Sequence, residues 1–144
     1  MAEMSNITKI EAGCYDEVVR LRKHAQEIVD HFWCEREKMI DSKLLYRMPL
    51  IGCRIKDEGA SFGIVWFYYD FYTMKGTNKK RRTNAHIPKP RSQFKYSIRT
   101  LFKYTLPQEK ELVLYCENHF GLIRTKLNYL RRLRQWITHY KKIE

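Results

Sequence analysis

Leu50-Ile51-Gly52-Cys53-Arg54-Ile55-Lys56-Asp57-Glu58-Gly59-Ala60-Ser61-Phe62-Gly63-Ile64-Val65-Trp66-Phe67-Tyr68-Tyr69-Asp70-Phe71-Tyr72 decides the fold. Two runs of β-branched and aromatic residues flank Asp57-Glu58-Gly59, and such residues suit a pleated, half-buried surface while Gly accepts the backbone of a tight turn. The stretch predicts a β-hairpin. With a two-residue period, Phe62, Ile64, Trp66 and Tyr68 share one face of the second strand, and Val65, Phe67, Tyr69 and Phe71 the other. Both faces are apolar, so the strand is covered on both sides or keeps one aromatic face bare for stacking. Aromatic residues on nucleic-acid-binding sheets stack on bases, a role open to Trp66 and Tyr68 or to Phe67 and Tyr69; core packing needs such residues as well.

Outward from the hairpin, the chemistry changes. Lys75-Gly76-Thr77-Asn78-Lys79-Lys80-Arg81-Arg82 leads into His86-Ile87-Pro88-Lys89-Pro90-Arg91, and no acidic residue occurs between Asp70 and Glu109. A basic loop over about residues 74–95 is expected, with a short third strand near 83–87 as an alternative within it. The 144-residue chain carries a formal net charge of +12. Residues 1–70 hold 10 Lys/Arg against 12 Asp/Glu, and residues 71–144 hold 18 against 4. That asymmetry points to a polyanion, either nucleic acid or an anionic surface. The length suits one domain spanning 1–144, able to bury roughly 70% of its unfolded surface.

On the N-terminal side, Val18, Leu21, Ala25, Ile28 and Phe32, with Cys34 as a further candidate, recur at helical spacing between Asp16 and Lys38. Thr8-Lys9-Ile10-Glu11 has capping-box spacing. Pro49 bars a helix from entering the first strand. On the C-terminal side, Phe94–Tyr104 fits a short helix, and Pro107 opens a long final one, with Glu109 and Glu111 complementing its dipole. Leu112, Cys116, Phe120, Ile123, Leu127, Leu130 and Ile137 form its apolar stripe, while Arg124, Asn128, Arg131 and Gln135 run alongside. Gly121 is a weak point, costing about 1 kcal/mol relative to Ala. The expectation is an α+β fold, a small antiparallel sheet of two or three strands flanked by an N-terminal helix and a long C-terminal helix.

Candidate chemistry is sparse. His31 and Cys34 lie one helical turn apart, as do Cys116 and His119; no metal site is expected from these core or surface residues, and the alternative, if the two turns face each other, is a Cys2His2 zinc site. No CxxC pair joins Cys14, Cys34, Cys53 and Cys116, and no P-loop, dinucleotide-binding, nucleophile-elbow or zinc-protease motif occurs. A non-enzymatic protein with no cofactor is expected. Met1-Ala2-Glu3-Met4-Ser5-Asn6 lacks a signal-peptide pattern, and no apolar run approaches the length of about 20 residues needed to cross a bilayer. Cytoplasmic location without membrane insertion is the expectation.

His31-Phe32-Trp33-Cys34-Glu35, Ile51-Gly52-Cys53-Arg54, Ile64-Val65-Trp66, His86-Ile87-Pro88-Lys89 and Tyr129-Leu130-Arg131-Arg132-Leu133-Arg134 occur in that order. Over roughly residues 25–140 the chain resembles the MobI family of conjugative transfer proteins, found on integrative conjugative elements and related large plasmids. The resemblance implies an auxiliary relaxosome protein that acts on DNA at the origin of transfer and helps a separate relaxase. It carries no set of base-contacting residues, so the candidates rest on charge and side-chain chemistry. Lys79, Lys80, Arg81, Arg82, Lys89, Arg91 and Lys95 are expected to track phosphates, extended by Arg124, Arg131, Arg132 and Arg134 if the last helix lies beside the loop. Asn78, Asn84 and Arg91, or alternatively Asn128, Arg131 and Gln135, suit base reading. An adaptor that docks the relaxase, or a protein binding RNA or single strands, are the competing expectations.

Overall fold

A computed structural model of the chain describes residues 5–91 and 93–143; residues 1–4, part of the segment without a signal-peptide pattern, lie outside it. The architecture is α+β. Helix α1 (Asn6–Asp41) is followed by strands β1 (Ile51–Glu58), β2 (Ser61–Thr73) and β3 (Lys80–His86), a short helix α2 (Ile98–Phe102), a 3-10 turn (Pro107–Glu109) and helix α3 (Lys110–Lys141). The strands form one antiparallel sheet in the order β1-β2-β3.

Helix α1 starts earlier than the Thr8 spacing suggests because Ser5 caps it, its hydroxyl accepting the Thr8 N–H at 3.2 Å. Val18, Leu21, Ala25, Ile28 and Phe32 are buried as their spacing predicts, whereas Cys34 is exposed. The two long helices run antiparallel: near one end Lys141 pairs with Glu11, and toward the other Arg36 pairs with Glu109. No helix among the described residues is long and apolar enough to cross a membrane.

The sheet register separates its two faces. Pairs Ile51↔Tyr68, Cys53↔Trp66 and Ile55↔Ile64 face the helices, and Gly52↔Phe67 and Arg54↔Val65 face away. Trp66 is fully buried, its ring 5.4 Å from Phe32 of α1 and 5.8 Å from Phe120 of α3. Tyr68 stacks on Tyr104 with centroids 4.1 Å apart. Trp66 is a core residue, and the partly buried Tyr68 has its ring face taken by Tyr104, so neither offers a free face for base stacking.

Gly52 has a steric reason. A Cβ there would stand 2.6 Å from the Phe67 ring and 2.8 Å from the Trp33 ring. Trp33 leaves α1, donates its indole N–H to the Cys53 carbonyl at 3.1 Å, and curls round edge strand β1 to meet Phe67 on the outer face. Gly59, at φ +63, makes the tight β1–β2 turn that only a residue without Cβ enters freely.

Beyond Tyr69, β2 continues without β1 and pairs only with β3, through Asp70↔Thr83, Phe71↔Arg82, Tyr72↔Arg81 and Thr73↔Lys80. This two-stranded ribbon is exposed from Lys75 to Asn84. The basic quartet expected in a loop is therefore mostly strand: Lys80, Arg81 and Arg82 are held by the open edge of β2, and only Lys79 lies in the connecting turn.

Candidate nucleic-acid interface

Two cationic regions follow from this geometry. In the ribbon, alternation sends Lys80, Arg82, Asn84 and His86 to the outer face and Arg81 and Thr83 to the other. The Arg82 guanidinium lies 4.3 Å from the Tyr69 ring centroid, a cation–π contact that orders both side chains. Met74 N–H donates to the Lys79 carbonyl at 2.9 Å and closes the tip, with Gly76 at φ +81.

The second region is a cleft of about 450 Å³ beyond the end of β3. Lys89 and Arg91 from the loop, Asn128 and Arg131 from α3, Lys56 from β1 and His86 from β3 all line it. Of the two reading surfaces the sequence offers as rivals, Arg91 of the loop and Asn128 and Arg131 of the helix thus face one space, while Asn78 and Asn84 lie out on the ribbon and Gln135 lies outside the cleft lining. Lys89 is fixed by donating to the carbonyls of Pro90 (3.1 Å) and Gln93 (2.7 Å). Burial, reinforced by the nearby Arg124 charge, holds its ammonium below the usual lysine range. Lys95 sits to one side, its amine donating to Asn118 Oδ1 at 3.0 Å and its stem crossing α3 at Gly121. A Cβ on Gly121 would meet that stem at 2.6 Å, so the glycine that weakens the helix admits a crossing chain.

Arg124 corrects the expectation from charge alone. It is 8% exposed and belongs to the core. Its Nη1 contacts both oxygens of Glu117 at 3.0 and 3.1 Å and donates to the Phe94 carbonyl, and Nη2 donates to the Ile64 carbonyl at 3.1 Å. Glu117 also accepts from the Trp66 indole (2.9 Å) and the Tyr96 N–H (2.6 Å). The guanidinium satisfies a carbonyl on β2 where β3 has ended, and the same network seats the loop that forms the cleft wall. Arg124 Nε has no hydrogen-bond partner among the described residues. Of the other helix candidates, Arg134 is held against Tyr15 of α1, with Nη2 donating to the phenol at 3.0 Å, and Arg132 is exposed outside the cleft lining.

The zinc alternative is not assembled. His31 and Cys34 are exposed on α1, and Cys116 is buried in the core, where desolvation pushes its thiol up to about 12. Tyr115 stands between His31 and His119, 5.4 and 4.5 Å from their rings. Among the described residues no group of three or more His, Cys, Asp or Glu is arranged to hold a metal ion.

Arg54 and Lys56 are residues that sequence reasoning passed over. Both are exposed on the outer sheet face. Their alternation with Cys53 and Ile55 carried the signal, since a two-residue period puts them beside Val65 and Gly63.

No curated protein and no solved structure matches the chain significantly. A family model described as MobI protein matches residues 21–138, spanning α1 from Leu21, the whole sheet, the cleft and nearly all of α3. The chain belongs to the MobI family, an accessory family of conjugative mobilisation that is not a known enzyme family.

Proposed function

We propose that this protein is a non-catalytic DNA-binding accessory factor of conjugative mobilisation that recognises the origin of transfer and assists the relaxase. One observation carries the reading. Strand β3 leads from the cations of the ribbon directly into the cleft where Lys89, Arg91, Asn128 and Arg131 meet, and among the described residues Glu58 is the only carboxylate in the cleft lining. Phosphate contacts supply affinity and register, and base edges supply specificity. Lys79, Lys80, Arg81 and Arg82 fit the first task. Asn84, Asn128, Arg91 and Arg131 have the donor and acceptor groups for the second. A two-stranded β-ribbon is also narrow enough for the major groove. DNA in the cytoplasm, together with the relaxase and other relaxosome proteins, is the partner set this reading requires, with no resident cofactor.

The test is competition between duplex from the transfer origin and random duplex of equal length, across a range of salt. The origin duplex should win at every salt concentration. Replacing Lys79, Lys80, Arg81 and Arg82 with Ala should weaken both complexes and flatten log affinity against log salt by about 0.9 per lost phosphate contact. Equal competition by random duplex would defeat origin recognition. The adaptor reading would then stand in its place, supported by the exposed Leu122, Tyr129, Leu133, Trp136 and Tyr140, which recur at helical spacing on the outward side of α3.

A further inference from the structure

The outer face of the sheet carries a row of aromatic side chains that is only partly covered, with Trp33 against Phe67 and the Arg82 guanidinium over the Tyr69 ring. Along β2 the outward positions are Val65, Phe67, Tyr69 and Phe71. Phe67 is closed off by Trp33 and Tyr69, but Tyr69 is half-buried and Phe71 is 55% exposed. Beside this row β3 presents its polar counterpart in direct register, with Arg82 opposite Phe71, Asn84 opposite Tyr69 and His86 opposite Phe67. On the other flank β1 presents Arg54 and Lys56, both exposed. Arg82 therefore borders the exposed aromatics on the β3 side, while Arg54 and Lys56 lie farther along the same face beside Val65 and Gly63, and Glu58, at the far β1–β2 turn, is the carboxylate on this face among the described residues.

An apolar core purpose does not account for Phe71. It lies on the part of β2 that has outrun β1, and more than half of its surface is exposed. An exposed aromatic in a basic frame matches a ligand with a flat π face and a negatively charged backbone. Duplex DNA offers the charge but hides its base faces in the stack. Unpaired bases offer both. Outward side chains along a strand stand about 6.8 Å apart, two rises of roughly 3.4 Å, so Tyr69 and Phe71 can each take a separate base.

We propose that the outer sheet face is a base-stacking site for single-stranded DNA, with Phe71 and Tyr69 as the stacking residues and Arg54, Lys56, Lys80 and Arg82 along the phosphates. This rests on the reading of the protein as a DNA-binding factor, and assigns an unpaired strand to a face that a duplex does not need. Asn84 and His86 stand where base edges would pass.

Fluorescence anisotropy with four labelled probes tests it: oligothymidylate of about 16 nucleotides, an abasic phosphodiester strand and an oligouridylate of the same length, and a duplex. Oligothymidylate should bind far more tightly than the abasic strand. Phe71→Ala should lower its affinity by roughly 5- to 100-fold, while affinity for the abasic strand and the duplex, and the salt slope, stay the same. Phe71→Leu keeps apolar bulk without a π face and should behave like the alanine variant; its circular dichroism and melting serve as the folding control. Equal binding of the thymidylate and abasic strands by the wild type overturns the proposal. So does unchanged thymidylate affinity in both Phe71→Ala and Tyr69→Ala, and so does an equal loss on the duplex. Tighter binding of oligouridylate than oligothymidylate overturns the assignment to DNA. If the duplex binds and the single strand gains nothing from its bases, only this site fails; if no probe binds, the underlying DNA reading fails with it.

Discussion

Arg36 and Arg124 share a chain with Arg81, Arg82, Arg91 and Arg131, yet the two groups have opposite fates. The first pair is internal: Arg36 lies against Glu109, with Nη2 at 2.7 Å, and Arg124 against Glu117 at 3.0 Å. The second group is exposed, and among the described residues none of its members is in an ion pair. A buried guanidinium has to be matched because leaving water costs several kcal/mol per ion. Each internal arginine therefore ties two distant segments, α1 to the 3-10 turn in one case and β2 to α3 in the other. An exposed arginine keeps its hydration and stays available to an external anion. Net charge counts both groups alike; pairing separates them.

The harshest way to break this distinction is to remove Glu117. Glu117→Ala should cost roughly 3–5 kcal/mol in urea unfolding, because it strands a buried charge and leaves the Trp66 indole and Tyr96 N–H without an acceptor. Replacing both partners, as Glu117→Leu with Arg124→Met, should recover part of that loss. The fourfold alanine variant of the ribbon, by contrast, should unfold close to the wild-type midpoint. A cost below about 1 kcal/mol for Glu117→Ala would show that the internal pair is no more structural than a surface one.

A smaller effect is expected where the two faces of the sheet are joined. Gly52→Ala forces apart the Phe67 and Trp33 rings and should cost roughly 1–3 kcal/mol. Gly63→Ala is the control, because the nearest atom there is an oxygen of the Glu58 side chain at 3.1 Å, which can swing away. The comparison uses unfolding midpoints of the two variants. Equal costs would mean that the contact across Gly52 does not hold Trp33 round the sheet edge.

Most of the fold was legible because its signals are local and periodic. The stripe Val18–Leu21–Ala25–Ile28–Phe32 and the alternation in β2 both report one-sided burial, and burial follows period. Lys80–Arg82 were misread as loop because β-pairing to the open edge of β2 overrides the weak strand preference of Lys and Arg. Arg124 was misread, and the burial of Glu109 missed, for a different reason. An arginine at helical spacing on a basic helix looks like a surface residue, and a glutamate in a first turn looks like a dipole partner. Their burial depends on Glu117 and Arg36, contacts that helical periodicity or sequence separation hides. The meeting of Lys89 and Arg91 with Asn128 and Arg131 was unreadable for the same reason, since it follows from how the loop is seated on α3.

The mildest test concerns a pair that falls between the two groups, exposed yet matched. Arg22 of α1 donates from Nε and Nη2 to the two oxygens of Asp57 at 2.9 and 3.1 Å, tying the helix to the β1–β2 hairpin. The side chains are 44% and 66% exposed, so solvent screens the attraction and salt weakens it. The hydrogen bonds from Arg22 nonetheless hold the Asp57 carboxyl below its ordinary value of 3.8. A carboxyl with a depressed folded-state pKa contributes stability above its unfolded pKa and loses it as pH falls through the folded value. Asp57→Asn should therefore be slightly less stable than wild type near neutral pH. The gap should stay constant down to about pH 5, narrow below the unfolded value, and close once the folded carboxyl is protonated. Urea midpoints of both proteins over that range give the difference directly, with the titration of all other groups cancelling between them. Parallel curves down to the lowest pH would leave the Arg22–Asp57 contact without energetic weight, and matched charge at the surface would then count no differently from the bare cations of the ribbon.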